Sequence, residues 1–168
     1  MQDIKSLPGK IISLPRNNFL CTEGSMDRNV YVIEEGSIRI FINDHDEERI
    51  VRFGYKGNII VALDSFLGLQ PTVFNMQALK RSLVKVIPPS EIQKFLECEE
   101  NKALWMAILE DLILQQIARE TDLLTASPKE RYRRVLQRSP QLFQEIPNKH
   151  IANYLRMSPE TLSRLKKC

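Results

Sequence analysis

No glycine occurs after position 68 of this 168-residue chain, although six occur up to that point. Glycine supplies the positive φ that tight turns and bulges need, so the last hundred residues are expected to be helical and the front to be rich in turns. No run of 18 apolar residues without charge is present. The densest stretch, 103–114, carries Glu110 and Asp111, which excludes a membrane span. The first residues, Met1 to Lys5, have no apolar signal core, so a cytoplasmic protein is expected. Three cysteines, Cys21, Cys98 and Cys168, form no CxxC pair and cannot hold an iron–sulfur cluster, so they read as reduced bystanders. The two histidines, His45 and His150, lie far apart, and neither has a cysteine or second histidine at ligand spacing. There is no Gly-x-Ser-x-Gly elbow and no glycine-rich phosphate loop. The acidic run Asp44, Asp46, Glu47 and Glu48 reads as a solvated hairpin turn. No enzyme activity, metal or cofactor is expected.

What is present is an uneven distribution of charge. The net charge is only +3, but residues 1–126 carry 14 basic and 18 acidic side chains, whereas residues 127–168 carry 10 and 3. An acidic front followed by a basic tail points to a sensor or scaffold joined to a segment that binds a polyanion.

The front half reads as short strands at 10–14, 19–21, 30–33, 37–42, 48–53, 59–63, 72–79 and 83–87. Ile38, Ile40 and Ile42 alternate with Arg39 and Phe41, a period of two. Many short strands at regular spacing indicate a sandwich or barrel. Pro88-Pro89 ends this region, Ser90 can cap a short helix at 91–96, and a long helix is expected over 101–124. Its apolar residues cover more than one stripe. One side can pack on the β domain and another on the same helix of a second copy. Leu104, Trp105, Ile108 and Leu112 are the expected dimer contacts. Ser127-Pro128-Lys129-Glu130 is a helix start, with a serine cap, proline at the first position and Glu130 placed to close a capping box. That helix is expected over 128–137, with a further helical turn at 141–145.

Residues 148–167 fit a helix-turn-helix. Ile151 and Leu155 face inward one turn apart, and small Ala152 allows a close helix crossing. Met157 plugs the turn. Ser158 caps the second helix, Pro159 takes its first position, and Glu160 sits near the positive end of its dipole. Leu162 and Leu165 face the core, which leaves an outward face suited to double-stranded DNA. Glu160, Ser163 and Arg164 are the candidates for base reading: Arg164 bidentate to guanine, Glu160 accepting from a cytosine amino group. Lys149, Ser158, Thr161, Lys166 and Lys167 are the candidates for phosphate contacts, which set register without reading sequence.

Three pieces carry a resemblance over almost the whole length. They are residues 30–41, residues 64–71 with the strand through Ala78-Leu79, and Ser127 to Tyr132 through residues 151–155 and 158–164. The chain resembles the Crp/Fnr superfamily of bacterial regulators, in a short form of the sort found in Bacteroidetes. The resemblance implies an α+β fold. Residues 1–98 would be a cyclic-nucleotide-binding-like β-roll (a double-stranded β-helix or jelly roll), and residues 99–126 a dimerisation helix. Residues 127–168 would form a helix-turn-helix domain without an evident wing. It also implies a homodimeric DNA-binding transcription regulator, with a small-molecule effector and RNA polymerase as further possible partners. A signal in the β-roll would change the relation of the two dimer helices and so the population able to grip DNA.

The departures from the pattern matter as much. Members that bind cyclic AMP or cyclic GMP carry Gly-Glu-Leu followed by Arg-Ser or Arg-Ala. Here the matching positions are Val61-Ala62-Leu63 and Thr72-Val73, a degenerate effector pocket. Ala62 replaces the glutamate that accepts from the ribose, and Thr72 the arginine that pairs with the cyclic phosphate. Loss of the charge-assisted pair predicts no tight binding of cyclic AMP; Lys80 and Arg81, near a strand end, read as solvated. Arg156 stands where the family's turn has glycine. No wing is evident up to position 168, residues 140–147 are expected to be too short for the strands that usually precede the motif, and little room is expected for the usual opening helices. The alternative is an effector-sensing or protein-interaction module that has lost DNA binding.

Overall fold

A computed structural model describes residues 4–45 and 47–167. Met1, Gln2, Asp3, Asp46 of the acidic turn and Cys168 lie outside the described residues. After a short 3-10 turn (Ile4–Ser6) come β1 (Lys10–Leu14), β2 (Phe19–Cys21), β3 (Val30–Glu35), β4 (Ser37–Asp44), β5 (Glu47–Tyr55) and β6 (Ile59–Val61). A one-and-a-half-turn helix α1 (Leu63–Gly68) precedes β7 (Asn75–Ala78) and β8 (Ser82–Ile87). The remainder is helical: α2 (Pro89–Leu96), α3 (Glu99–Leu124), α4 (Pro128–Arg138), α5 (Leu142–Glu145), α6 (Asn148–Tyr154) and α7 (Pro159–Lys166).

The strands form two antiparallel four-stranded sheets, in the orders β1-β8-β3-β6 and β2-β7-β4-β5. Their inner faces enclose Ile33, Ile38, Ile60, Met76 and Val84, all buried. This is the expected jelly-roll front end. Strands β3 and β4 follow each other directly but lie in different sheets, and the chain turns a corner between them. Gly36 makes that corner, with φ of 95°. A Cβ there would stand 2.6 Å from the Cα of Ser82, so no other residue fits without moving β8.

Alternation along β4 predicts one buried and one solvated face, yet Ser37 to Phe41 are all buried. The reason lies outside the sheet. Ile38 and Ile40 face the jelly-roll interior. Phe41 joins Ile50 and Phe53 of β5 in a second apolar cluster with Val135, Ile151, Tyr154, Leu155 and Leu162 of the C-terminal helices. The helical segment therefore packs directly on the outer face of the second sheet.

Serine caps set the starts of α4 and α7. The Ser127 hydroxyl accepts from the Glu130 N–H at 3.3 Å, and Ser158 accepts from Thr161 N–H at 3.2 Å. Ser90 is not a cap: α2 starts one residue earlier, after extended Pro88, with Pro89 at its first position. Helix α1 was not expected. Ala62 gives it no side-chain cap, and Leu69 ends it at φ of 52° where a glycine would be the usual signal.

The four residues expected as dimer contacts lie along one face of the long helix. Trp105 and Leu112 are buried in the chain's own core, and Leu104 and Ile108 pack against the same cluster beside Val32, Ile87 and Phe95. Those residues form the face that docks on the jelly roll. The exposed apolar residues of α3 are Met106, Ile113, Leu114, Ile117, Leu123 and Leu124. Among the described residues, no helix is long and apolar enough to cross a membrane.

Candidate functional site

The helix-turn-helix is built as two short helices anchored from beneath. Ile151, Leu155 and Leu162 are fully buried and Ala152 nearly so, with Met157 and Leu165 half-buried around them. The turn runs through Arg156 at φ of 51°, the left-handed conformation for which glycine is the usual choice. A buried guanidinium supports it. Arg131 of α4 donates through Nε to the Leu155 carbonyl at 2.8 Å and through Nη2 to the Arg156 carbonyl at 3.0 Å. Its Nη1 donates to the carbonyls of Thr125 and Ala126 at 2.7 and 2.9 Å. One side chain thus ties the end of α3 to the turn.

On α7, Glu160, Ser163, Arg164 and Lys166 are exposed, as are Lys167 at its end, Ser158 and Lys149; Thr161 is half-buried. The face is partly pre-arranged. Arg164 Nη2 lies 3.4 Å from Thr161 Oγ1, and Lys166 Nζ donates to Asn148 Oδ1 at 2.6 Å. The helix N-terminus and the Ser158 hydroxyl hold the Glu160 carboxyl below the usual range. Seven of the eight residues proposed from sequence as base or phosphate contacts fall on α6, α7 or the turn between them, and Lys167 follows directly at the end of α7.

Helix α6 is held on the jelly roll by polar as well as apolar contacts. The Asn153 carboxamide accepts from Ile50 N–H at 2.9 Å and donates to the Glu48 carbonyl at 2.8 Å. Strand β5 is the edge of its sheet, and an unpaired edge must be covered or it invites other strands. Tyr154 packs against Phe53 in a tilted arrangement with ring centroids 5.4 Å apart. Sequence reasoning did not find this seam.

The segment expected from sequence to correspond to the phosphate cassette is occupied by the chain's own hydrogen bonds. The Asp64 carboxylate accepts from Val73 N–H at 2.8 Å, from the Thr72 hydroxyl at 2.9 Å and from Ser65 N–H at 2.9 Å. Thr72 and Ala62 are buried, and Val73 is exposed. Only Val61 and Leu63 of the five expected pocket residues line the adjoining cavity of about 320 Å³. Phe74, Ile113 and Ile117 line it with them. Lys80 pairs with Glu145 and Arg81 reaches Ser13, both exposed and away from the cassette. Cys21 is buried, which pushes its thiol up to about 11, so it is a poor nucleophile at neutral pH. Among the described residues, no group of three His, Cys, Asp or Glu side chains is placed to hold a metal ion.

Two antiparallel sheets, a short helix between β6 and β7, and a long helix behind them form a recognisable unit. The family model for the cyclic nucleotide-binding domain matches residues 11–98. The chain belongs to the cyclic nucleotide-binding domain family. No curated protein matches it by sequence. Solved structures extend the likeness through the helical half. FixK2 from Bradyrhizobium japonicum superposes with a TM-score of 0.80 at 17% identity, covering 96% of this chain and 84% of that one. A CooA mutant from Carboxydothermus hydrogenoformans gives 0.75 at 16% identity, covering 95% and 75%. The catabolite activator protein of Thermus thermophilus gives 0.58 at 19% identity, covering 95% and 77%. At such identities the likeness establishes the fold, and it is the Crp/Fnr arrangement expected from sequence.

Proposed function

We propose that the protein is a dimeric transcription regulator that binds double-stranded DNA through α7 and does not respond to cyclic AMP. The observation that carries this reading is the outer face of α7. A capped helix, anchored by buried Leu162, presents Glu160, Ser163 and Arg164 to solvent in the +7 part of the chain. A recognition helix reads base edges from its first turns, and its flanking basic residues hold phosphates. Lys149, Ser158, Thr161, Lys166 and Lys167 take the latter role. Such a role places the protein in the cytoplasm, as a regulator rather than an enzyme.

The dimer is proposed through the exposed stripe of α3. Met106, Ile113, Ile117 and Leu124 recur at helical spacing, and Leu114 flanks them. A second copy would cover this stripe and close the 320 Å³ cavity, to which Ile113 and Ile117 contribute. Insensitivity to cyclic AMP rests on two points. No arginine occupies position 72, and the Asp64 carboxylate already uses the donors of Ser65, Thr72 and Val73. A second anion there would meet like charge and lose its charge-assisted partner.

Fluorescence anisotropy of random and selected duplexes at two salt concentrations tests the reading. Sequence-enriched binding with a steep salt dependence is expected. Glu160→Ala and Arg164→Ala should relax sequence preference, and Lys167→Ala should reduce the salt slope by about one. Weak binding without sequence preference would favour a sensor or protein-interaction module instead.

A further inference from the structure

Arg119 lies on the buried face of α3, seven residues after Leu112 and fourteen after Trp105, and is 4% exposed. Its Nη2 donates to the Ile50 carbonyl at 3.1 Å. Its Nε and Nη1 are buried and have no acceptor among the described residues. The guanidinium carbon sits 3.7 Å from the Tyr154 ring centroid. The nearby Asp122 carboxylate is fully buried and engaged by Arg134 and Arg138. A buried guanidinium with two free donors and no hydrogen-bonded carboxylate is costly, and a cation–π contact offsets only part of that cost.

The same residue lines a cavity of about 440 Å³ between β5, α3 and the helices that follow. Arg52 and Arg138 line it as well, with Tyr55, Ser139 and Tyr154. Asp111 is the one carboxylate of the lining, so the balance there is cationic. Arg52 is held to Gln115 Oε1 at 2.6 Å, a neutral partner that leaves its charge uncompensated by hydrogen bonding. Burial lowers the proton affinity of both Arg52 and Arg119, the expected response of cations taken from water without paired anions. The space suits a small metabolite.

We propose that this cavity binds a small organic anion, whose carboxylate or phosphate group is held by Arg119 and Arg52 with Arg138 at its rim. The site is separate from the cassette around Asp64. It joins the edge of the jelly roll to α3, α4, α5 and α6, so an occupant would hold the helix-turn-helix against the sensor. This goes beyond the DNA-binding reading and does not depend on it.

The test titrates the full chain with sodium phosphate and with sodium succinate against sodium chloride at matched ionic strength. Thermal melting and the arginine Nε–H resonances are followed. Saturation by either anion is expected to raise the melting midpoint by about 3 °C over chloride at tenfold excess over Kd, and to shift the Arg119 resonance. Phosphate acting alone identifies a phosphate ligand, and succinate acting alone a carboxylate. Arg119→Met should abolish the effect, and Arg52→Gln should weaken the affinity tenfold or more. Arg52 is half-buried with one neutral partner, so its variant decides the matter if Arg119→Met does not fold. No shift beyond chloride overturns the proposal. So does a shift undiminished in the variants, which would come from the exposed basic face. DNA binding is measured on the same variants, because neither arginine lies on the outer face of α7. Loss of anion binding with DNA binding intact separates this site from the proposed regulator role.

Discussion

The carboxamide of Asn153 accepts a hydrogen bond from the backbone N–H of Ile50 at 2.9 Å, while the carbonyl of Ile50 accepts one from Arg119 at 3.1 Å. Both backbone groups of one edge residue are thus taken by side chains from outside the sheet. The helix-turn-helix and the long helix use β5 as a common platform, and the apolar cluster of Phe41, Ile50, Phe53, Tyr154 and Leu155 fills the seam.

Asn153→Ala should therefore loosen the seam without harming either side of it. Two hydrogen bonds are lost at a partly exposed position, which costs about 1–2 kcal/mol. The melting midpoint should fall by about 2–8 °C on that basis. Hydrogen exchange at the Ile50 amide should accelerate far more than at Met76 in the jelly-roll core. Equal acceleration at both sites would show that Asn153 acts on global stability alone.

Arg131 predicts a larger effect. It is buried and donates to four carbonyls, two at the end of α3 and two in the helix-turn-helix turn. Arg131→Met keeps the aliphatic stem but strands those acceptors, at about 3 kcal/mol. Arg131→Lys should recover little, because an ammonium cannot span the planar fork. Chemical denaturation of the three proteins checks this. A lysine variant as stable as wild type would assign the effect to charge rather than geometry.

Much of this arrangement was legible in the sequence where the signal is local. Ser127-Pro128 and Ser158-Pro159 begin helices because cap and proline act within four residues. Helix α1 was not legible, since it is short, uncapped by Ala62 and ended by left-handed Leu69. The two apolar stripes of α3 were visible, but periodicity does not say which faces the chain's own core. Trp105 and Leu112 proved to be inside and Met106, Ile113 and Ile117 outside. The heptad spacing of Trp105, Leu112 and Arg119 was the available clue to the cationic cavity, because it places a charge on the buried stripe. The seam on β5 had no sequence signal, as it joins residues about a hundred positions apart.

Arg156 occupies a left-handed position without the freedom of glycine. Arg156→Gly should relieve about 1 kcal/mol of backbone strain, partly offset by the greater entropy of the unfolded chain. A small net gain in stability is expected from denaturant melts with an unchanged m-value. A clear loss would show that the exposed Arg156 side chain contributes more than its conformation costs.

Asp64 stands at the start of α1 and collects the donors of Ser65, Thr72 and Val73. Asp64→Ala should destabilise by about 1–2 kcal/mol and raise hydrogen exchange across residues 69–74. Titration calorimetry with cyclic AMP should give no binding heat for wild type or for Thr72→Arg. Introducing Thr72→Arg together with Ala62→Glu and Asp64→Ser is the combination expected to admit the nucleotide. Binding by wild type would remove the premise that Asp64 substitutes for a ligand phosphate.

His150 makes the stability of the seam depend on pH. Burial against the jelly roll lowers its pKa from 6.5 to about 4, with smaller contributions from the positive charges of Arg39, Lys149 and Arg16 and an opposing one from Glu48. The unfolded chain protonates this histidine near pH 6.5, whereas the folded chain resists until about pH 4. Between those values the unfolded state holds the extra proton, so acidification favours unfolding. The contribution is fully present above about pH 6.5 and is lost as the pH falls toward 4. Because the side chain is only half-buried, solvent screening reduces the effect to about 1 kcal/mol. His150→Gln removes the titration and keeps a polar side chain of similar reach. Its stability, followed by denaturant melts from pH 7 to pH 4.5, should fall less steeply than that of wild type, so the two curves should separate toward the acid end. Parallel curves would show that His150 does not set the acid sensitivity of the seam.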